Sequence, residues 1–367
     1  MSISVQELPC TEGVLGVLTL NAPASLNALS EEMMGALQAQ LDAWATDDRI
    51  CLVLLHGAGE RGFCAGGNIR QLYQAIQRGN ARHAGLRYFS REYRLDYSLH
   101  VYPKPVICWG HGIIMGGGLG LMSASRYRLI TPSASLAMPE IRIGLFPDVG
   151  AGWFLNRLPE GMGLFLGLTG ARLNASDALR IGLADMAVPE DGLDTLLGLL
   201  QDTRWTGQIA ADDNRLFRLL NRFEQDHPVT LPTSELASTE QTITGLCSLG
   251  SLPEIVAQLL SHNAPGDWWQ SAQDNLRSGC PTTAWLVYEQ LRRARQMSLK
   301  EIFTMELAMA VRCCEQPDLA EGIRTRLIDR EDSPRWLHAS VDEVPWAHVE
   351  QHFEAPWGEG PSPFDDL

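Results

Sequence analysis

Residues 104–152 read KPVICWGHGIIMGGGLGLMSASRYRLITPSASLAMPEIRIGLFPDVGAG, and this stretch decides the fold of the chain. Its apolar run at 106–109 predicts a buried strand, and the glycine triplet at 116–118 predicts a tight turn into an apolar helix. Two short strands are then expected at 126–130 and 135–138. The stretch therefore predicts a strand, a glycine turn and a helix in succession, followed by further short strands.

The same succession occurs once before it. An apolar run of strand length at 50–55 predicts a strand buried on both faces, after an earlier strand at 14–20. The following loop, RGFCAGGNI, places Gly66 and Gly67 in a turn and Asn68 where it could cap the next helix. The repetition indicates ββα-like units rather than a single dinucleotide-binding unit. No G-x-G-x-x-G, Walker A or G-x-S-x-G sequence occurs, which excludes the common nucleotide loops and the serine nucleophile elbow.

The charge and composition of the chain exclude several classes of protein. Its 367 residues are 45% hydrophobic and 20% charged, as in ordinary globular proteins. The 29 Lys and Arg against 44 Asp and Glu give a formal net charge of −15, which would repel a nucleic-acid backbone. We find no secretory leader pattern and no apolar run long enough to span a bilayer. We therefore expect a cytoplasmic protein without a nucleic-acid or membrane partner; self-association into a homo-oligomer is left open.

The domain organisation is predicted from shifts in composition. Residues 1–202 are expected to form the core that carries the active site, and residues 203–353 a mainly helical C-terminal region. The last stretch, 354–367, is rich in Pro, Gly and acidic residues and is predicted to be a flexible tail. The eight cysteines include no C-x-x-C pair, so we expect free, mostly buried thiols.

Candidate catalytic groups lie in the two glycine turns and just after the last short strand. Each turn opens onto a helix, so the backbone N–H groups of Gly67 and Gly117 could point at one carbonyl oxygen and stabilise an oxyanion. Removing one such donor typically costs ~2.7–4 kcal/mol of transition-state stabilisation. Glu140 follows Met138-Pro139 at a strand end, where a carboxylate can be desolvated and act as base or nucleophile. Taken by themselves, a Glu and an Asp at the spacing of Glu140 and Asp148 are more often two ordinary surface carboxylates.

Three segments together resemble the enoyl-CoA hydratase/isomerase (crotonase) superfamily, and within it the 3-hydroxyisobutyryl-CoA hydrolase branch. They are RGFCAGGNI, HGIIMGGGLGL and MPEIRIGLFPDVGAG, and the resemblance extends over nearly the whole chain. It implies an α/β fold: a crotonase-like spiral of repeated ββα units with a mainly helical C-terminal region.

The resemblance also implies an activity and a set of site residues. The activity is hydrolysis of a short β-hydroxyacyl-CoA thioester, 3-hydroxyisobutyryl-CoA in valine catabolism, with no cofactor because coenzyme A is part of the substrate. Gly67 and Gly117 would form the oxyanion hole. Substrate contacts are implied at Glu92, Gly117, Glu140 and Asp148, and Arg61 lies where a cation often approaches the coenzyme A phosphate.

Two departures from the superfamily pattern bear on the reaction. Gly120 stands where the hydratases carry a second catalytic Glu, which favours hydrolysis over hydration; the hydrolase branch also lacks that Glu and has Asp at the position of Asp148. Asn68 replaces the usual Asp, which puts a loop contact to ligand in doubt. The alternatives that remain are an enoyl-CoA hydratase/isomerase, with Glu92 or Asp148 as second acid/base, and a non-catalytic acyl-CoA-binding protein.

No metal site is expected. His348 and His352 flank Glu350, but the order H-x-E-x-H is not H-E-x-x-H and no third ligand is evident. His111, beside the second glycine turn, is expected to be a structural residue.

Overall fold

The computed structural model describes residues 2–248, 250–330, 332–358 and 360–367. The strands, in chain order, are β1 (Ile3–Pro9), β2 (Val14–Leu20), β3 (Ile50–Gly57), β4 (Val106–Gly110), β5 (Ile113–Met115), β6 (Tyr127–Ile130), β7 (Ser135–Ala137), β8 (Leu173–Asn174) and β9 (Met186–Ala187). The helices are α1 (Glu31–Ala45), α2 (Arg70–Gln77), α3 (Ala81–His100), α4 (Gly117–Ala124), α5 (Ala151–Phe154), α6 (Met162–Thr169), α7 (Ala175–Arg180), α8 (Leu193–Gln201), α9 (Ile209–Asp226), α10 (Glu240–Cys247), α11 (Leu252–Ser261), α12 (Asp267–Ser278), α13 (Pro281–Ala294), α14 (Leu299–Glu315), α15 (Pro317–Ile323) and α16 (Trp346–Phe353). Short 3-10 turns occupy Pro23–Ser25, Glu140–Ile143, Leu155–Arg157, Leu236–Ser238 and Val341–Glu343, and a π turn occupies Arg324–Ile328.

The packing of the chain divides it into two compact units. The first unit contains residues up to 67 together with 95–136 and 173–235, and the second contains 68–94, 137–172 and 236–367. These units do not coincide with the predicted segments 1–202, 203–353 and 354–367, so that division of the chain remains a prediction. Positions 1, 249, 331 and 359, which belong to those three segments, lie outside the described residues.

The first unit is built on a six-stranded sheet in the order β1-β2-β3-β4-β6-β9. β1 runs antiparallel to β2, and the remaining neighbours are parallel. The first six residues of β3 are buried, as expected for a parallel strand that is covered on both faces. β5, β7 and β8 form a second, smaller sheet. The strands that the sequence predicts at 14–20 and 50–55 are confirmed.

Helix α1 shows how this sheet is covered. The Ser30 hydroxyl accepts the N–H of Met33 at 3.1 Å and so caps the helix. Trp44 is 1% exposed and lies flat against Gly16 of β2, where a Cβ atom would come within 2.6 Å of its ring. A glycine in the strand therefore makes room for the largest side chain of the helix, whose burial contributes on the order of 2–3 kcal/mol.

The second unit is mainly helical. Ser298 and Glu301 form a capping box at the start of α14. α15 packs backbone to backbone on the turn Glu140–Ile143: a Cβ atom at Gly322 would lie 2.3 Å from the carbonyl carbon of Ile143. Among the residues described, no helix is both long enough and apolar enough to cross a membrane.

One local prediction is wrong. Asn68 does not cap α2, which begins at Arg70 with Ile69 at the N-cap and no side-chain cap bond. The reason is that Gly67 still forms a β-bridge with Leu29, so the chain enters the helix later than the glycine pair suggests.

Part of the predicted flexible tail, 354–367, has tertiary contacts, and the flexibility of this stretch stays a prediction. Phe364 is completely buried, and Arg94 of α3 forms an ion pair with Asp366 at 2.8 Å and packs over the Phe364 ring. Lys300 donates to the carbonyl of Asp365 at 2.9 Å. These contacts involve Phe364, Asp365 and Asp366 at the end of the stretch.

Candidate active site

The two glycine turns of the first unit lie side by side. Gly66 and Gly116 have positive φ values of 94° and 50°, a conformation that glycine adopts without strain. A Cβ atom at Gly66 would come within 3.6 Å of the nitrogen of Gly117. Among the described residues, the N–H groups of Gly67 and Gly117 donate to no backbone carbonyl. The structure thus brings the two turns together with both donors available, and the oxyanion-hole role of these donors remains a prediction.

Close backbone contact fixes this arrangement. Gly118, the second residue of α4, lies where a Cβ atom would be 2.3 Å from the carbonyl oxygen of Cys64. Cys64 in turn donates its N–H to Ile113 at 3.1 Å and accepts the N–H of Met115 at 3.0 Å. Gly118 is therefore required because the loop that carries Cys64 packs against it and leaves no space for a Cβ atom.

Three buried carboxyl groups form the centre of the second unit. Glu92 of α3, Glu140 and Asp148 are only 3%, 6% and 4% exposed. The Tyr93 hydroxyl donates a hydrogen bond to Oδ2 of Asp148 at 2.8 Å. Oε2 of Glu140 is buried and has no hydrogen-bond partner among the described residues. Because buried carboxylate oxygens are normally satisfied, this unpaired atom marks Glu140 as a candidate reactive group.

The electrostatics of the cluster follow from burial and like charge. Burial raises the pKa of Glu140 well above its ordinary value, and the charge of Asp148 raises it further. The same two causes, in the same order, raise the pKa of Glu92. Burial raises the pKa of Asp148 to about 7, against the lowering effect of the Tyr93 hydrogen bond. Burial and like charge thus raise the pKa values of all three groups, which suits them to acid-base or nucleophilic work.

The local backbone explains how Glu140 and Asp148 reach one place. Glu140 opens the 3-10 turn Glu140–Ile143, and Gly144 ends that turn with φ of 73°. A Cβ atom at Gly144 would lie 2.5 Å from the carbonyl oxygen of Asp318, so only glycine fits against α15 there. Beyond Asp148 the chain turns again at Val149 and Gly150, whose φ values are 54° and 83°. The left-handed residue Gly144 thus turns the chain between Glu140 and Asp148, and the turn at Val149 and Gly150 redirects it after Asp148.

Two further residues singled out in the sequence, Arg61 and His111, belong to the first unit. Arg61 is exposed in the loop after β3, and its contact with coenzyme A remains a prediction. A ring nitrogen of His111, Nε2, lies 2.8 Å from the carbonyl oxygen of Gly59, which fits a structural role.

The histidines near the C-terminus also have local partners. Nδ1 of His352 lies 2.8 Å from the carbonyl oxygen of His348, and Glu350 forms an ion pair with Arg293. Within the described part of the chain, no group of three His, Cys, Asp or Glu residues could hold a metal ion.

Three residues of this centre are not predicted from the sequence. Tyr93 reads there only as part of an apolar helix pattern, although it binds Asp148. Glu306 and Gln290 are completely buried and hold the loop that carries Asp148. The available signal is a single carboxylate in the apolar sequence FTMELAMAV of α14, because a lone acid on a buried helix face needs specific partners.

Comparisons with known proteins agree with this architecture. The sequence profile of a family described as enoyl-CoA hydratase/isomerase matches residues 15–353. A protein from Danio rerio named 3-hydroxyisobutyryl-CoA hydrolase, mitochondrial, is 36% identical over 344 residues, which cover 94% of this chain and 88% of the relative.

Two solved structures share the fold over essentially the full chain. A carnitinyl-CoA dehydratase from Mycobacterium thermoresistibile has a TM-score of 0.84 at 33% identity, covering 100% of this chain and 99% of its own. An enoyl-CoA hydratase from Rhodobacter sphaeroides 2.4.1 has a TM-score of 0.82 at 31% identity, covering 97% and 98%. The predicted spiral with its helical C-terminal region is confirmed.

Proposed function

Since the chain belongs to the enoyl-CoA hydratase/isomerase family, we propose that it is a thioester hydrolase for a short β-hydroxyacyl-CoA. The proposed substrate is 3-hydroxyisobutyryl-CoA, and the products are 3-hydroxyisobutyrate and free coenzyme A. This reaction would belong to valine catabolism. No cofactor is proposed, because coenzyme A enters and leaves as part of the substrate.

The observation that carries the proposal is the state of Glu140. Its Oε2 is buried and unpartnered among the described residues, and Asp148 lies close enough to raise its pKa. An ionised carboxylate held in this way is poorly solvated and is therefore a strong nucleophile or base. Two routes use it. Glu140 attacks the thioester carbon, forming an anhydride and releasing the CoA thiolate, and water then cleaves the anhydride; or Glu140 takes a proton from the attacking water.

The remaining groups have supporting roles in this proposal. The N–H groups of Gly67 and Gly117 would stabilise the carbonyl oxygen as it becomes negative. Asp148, oriented by Tyr93, would accept the hydrogen bond of the substrate's β-hydroxyl. A site built to hydrogen-bond a hydroxyl strongly rejects an analogue that lacks it, so Asp148 would confer the preference for β-hydroxy esters. Glu92 would complete the polar side of the acyl site, and Arg61 would approach the coenzyme A phosphate.

Enoyl-CoA hydration or isomerisation is the second candidate. The observation in its favour is a second buried acid, Glu92, whose pKa is raised by burial and by the same Asp148. Two carboxyl groups of this kind could act as acid and base on one water. This reaction consumes an enoyl-CoA without releasing a thiol, and that difference separates it from hydrolysis.

A thiol-release assay decides between these reactions. The panel contains 3-hydroxyisobutyryl-CoA, 3-hydroxypropionyl-CoA, isobutyryl-CoA and crotonyl-CoA, and loss of the enoyl absorbance is followed in parallel. The proposal expects rapid thiol release from the two β-hydroxy esters and slow release from isobutyryl-CoA. Consumption of crotonyl-CoA without release of a thiol would support hydration instead. Tight binding of the esters without any turnover would indicate a non-catalytic acyl-CoA-binding protein.

Cellular location and self-association stay predictions. The Danio rerio relative is named as mitochondrial. A cytoplasmic location of this chain is to be tested by fractionation of the cells that express it.

A further inference from the structure

Glu306 of α14 forms two hydrogen bonds with the loop that follows Asp148. Its Oε2 accepts the N–H of Gly150 at 2.7 Å, and its Oε1 accepts the N–H of Gly152 at 2.8 Å. The side chain is completely buried. A carboxylate that binds two backbone N–H groups through separate oxygens fixes the loop in position as well as in orientation.

Gln290 of α13 completes the same arrangement. Its amide nitrogen donates to Oε1 of Glu306 at 2.9 Å and to the carbonyl oxygen of Pro147 at 2.8 Å, and its side chain is also completely buried. The loop is therefore held on both sides of Asp148, by Gln290 at the preceding residue and by Glu306 two and four residues later. We call Glu306 and Gln290 the loop clamp.

The sequence of the loop fits this contact. Val149 has a φ of 54°, which is strained for a β-branched residue and persists only where surrounding contacts impose it. At Gly152 a Cβ atom would lie 3.1 Å from Oε1 of Glu306 and 3.2 Å from Ala294. A larger residue there would crowd the carboxylate, so the glycine is matched to the clamp.

We propose that Glu306, assisted by Gln290, is a positioning residue that sets where the Asp148 carboxylate lies, and through it the selectivity for a β-hydroxyl on the acyl chain. The selectivity part of the inference rests on the proposed hydrolase function, whereas the positioning of the loop rests on the hydrogen bonds alone. It assigns the C-terminal helices α13 and α14 a part in substrate choice, beyond covering the core.

The consequence for Glu140 differs from that for Asp148. No hydrogen bond of the clamp reaches the turn Glu140–Ile143, whereas three reach the segment from Pro147 to Gly152. Weakening the clamp should therefore displace Asp148, which is proposed to bind the substrate hydroxyl, while Glu140 stays in place. The expected result is a selective loss of discrimination rather than a uniform loss of rate.

The test is Glu306→Gln, compared with Glu289→Gln as a matched control. The side-chain amide of the Glu306→Gln variant would present an NH2 group to one of the two loop N–H groups, and two donors cannot bond to each other. Glu289 is a buried glutamate of α13, 6% exposed, that pairs with Arg292 and Arg293 and does not touch the loop. The readout is the ratio of kcat/KM for 3-hydroxyisobutyryl-CoA to that for isobutyryl-CoA.

We expect this ratio to fall by about tenfold or more in Glu306→Gln, the effect of one misplaced hydrogen bond to a charged group, and to stay at the wild-type value in Glu289→Gln. A structural role alone would lower both rates together and leave the ratio unchanged. An unchanged ratio in folded Glu306→Gln would overturn the proposal. If that variant does not fold, Gln290→Met removes the side-chain amide, whose oxygen has no hydrogen-bond partner among the described residues, and its ratio should fall in the same direction.

A second measurement does not depend on activity. Amide hydrogen exchange of peptides covering residues 145–155 should accelerate in Glu306→Gln and stay at the wild-type rate in Glu289→Gln. If the wild type releases no thiol from either ester, the proposed function fails. The exchange data then show by themselves whether Glu306 and Gln290 hold the loop. Unchanged exchange in Glu306→Gln would show that the clamp does not hold the loop.

Discussion

Replacing Asp148 with Asn should stabilise the folded protein at pH 8 while it impairs catalysis. Burial raises the pKa of Asp148 from its ordinary 3.8 to about 7, although the Tyr93 hydrogen bond opposes this shift. A carboxyl group that holds its proton more tightly in the folded state than in the unfolded state is one whose charge opposes folding. Asn has nearly the same shape and can still accept the Tyr93 hydrogen bond, but it carries no charge.

The size of the effect follows from the two pKa values. Each pKa unit is worth about 1.4 kcal/mol, so ionised Asp148 destabilises the fold by about 4 kcal/mol once the pH is above 7. Below pH 4 the group is protonated in both states and the penalty vanishes. Between these limits only the unfolded chain has lost the proton, so the penalty grows with pH and is about 2 kcal/mol at pH 5. The advantage of Asp148→Asn should therefore increase by about 2–3 kcal/mol from pH 5 to pH 8.

Urea unfolding of both proteins at pH 5, 6, 7 and 8 measures this difference. Asp213→Asn provides a control of opposite sign, because the hydrogen bond from Arg126 holds the pKa of Asp213 below its ordinary value. Its wild-type carboxylate favours folding at neutral pH, so that variant should be slightly destabilised. A free-energy difference for Asp148→Asn that is flat from pH 5 to pH 8, or a wild type that is the more stable protein at pH 8, would refute the reasoning.

Two further predictions concern the glycine turn and the tyrosine. Gly118→Ala should lower the free energy of unfolding by about 1–3 kcal/mol and depress thiol release, because its Cβ would meet the Cys64 carbonyl oxygen. The control Gly198→Ala, in helix α8 with open space around the added Cβ, should stabilise by about 0.5–1 kcal/mol in the same urea titration. Tyr93→Phe removes the donor that lowers the pKa of Asp148, so the pH profile of kcat/KM should move to higher pH; an unmoved profile would show that this hydrogen bond does not tune the site.

The sequence predicts the strands and the site loops well because these segments obey local rules. An apolar run such as 50–55 is buried on both faces wherever a parallel sheet forms, and a Ser before an amphipathic helix, as at Ser30, caps it. The glycine turns are readable for the same reason, since positive φ at Gly66 and Gly116 demands glycine.

The rest depends on contacts that no local rule contains. Asn68 has the side chain of a cap, but a β-bridge at Gly67 moves the start of α2 to Arg70. The tail from 354 has a disordered composition, and the burial of Phe364 attaches it. Burial of polar groups is likewise set by tertiary packing, so the partners of Asp148 in α3 and of its loop in α13 and α14 could not be predicted from spacing.

Three buried carboxyl groups beside one another break the rules that a stable core follows. Their mutual repulsion and desolvation weaken the fold, and no cation is bound by hydrogen bonds to Glu140 or Asp148 among the residues described. Such a local conflict is expected where function requires it. The unfavourable burial of these three carboxyl groups therefore indicates that the cluster is reactive.

The most direct test of the proposed chemistry is Glu140→Gln, assayed for turnover and for ester binding on the same preparation. Gln preserves the shape of the side chain and removes its charge, so it can neither attack the thioester nor accept a proton from water. We expect thiol release from 3-hydroxyisobutyryl-CoA to fall by at least ~100-fold, with the Kd for the ester within a few-fold of the wild type. Thiol release at the wild-type rate would contradict the assignment of Glu140 as the group that carries the hydrolysis.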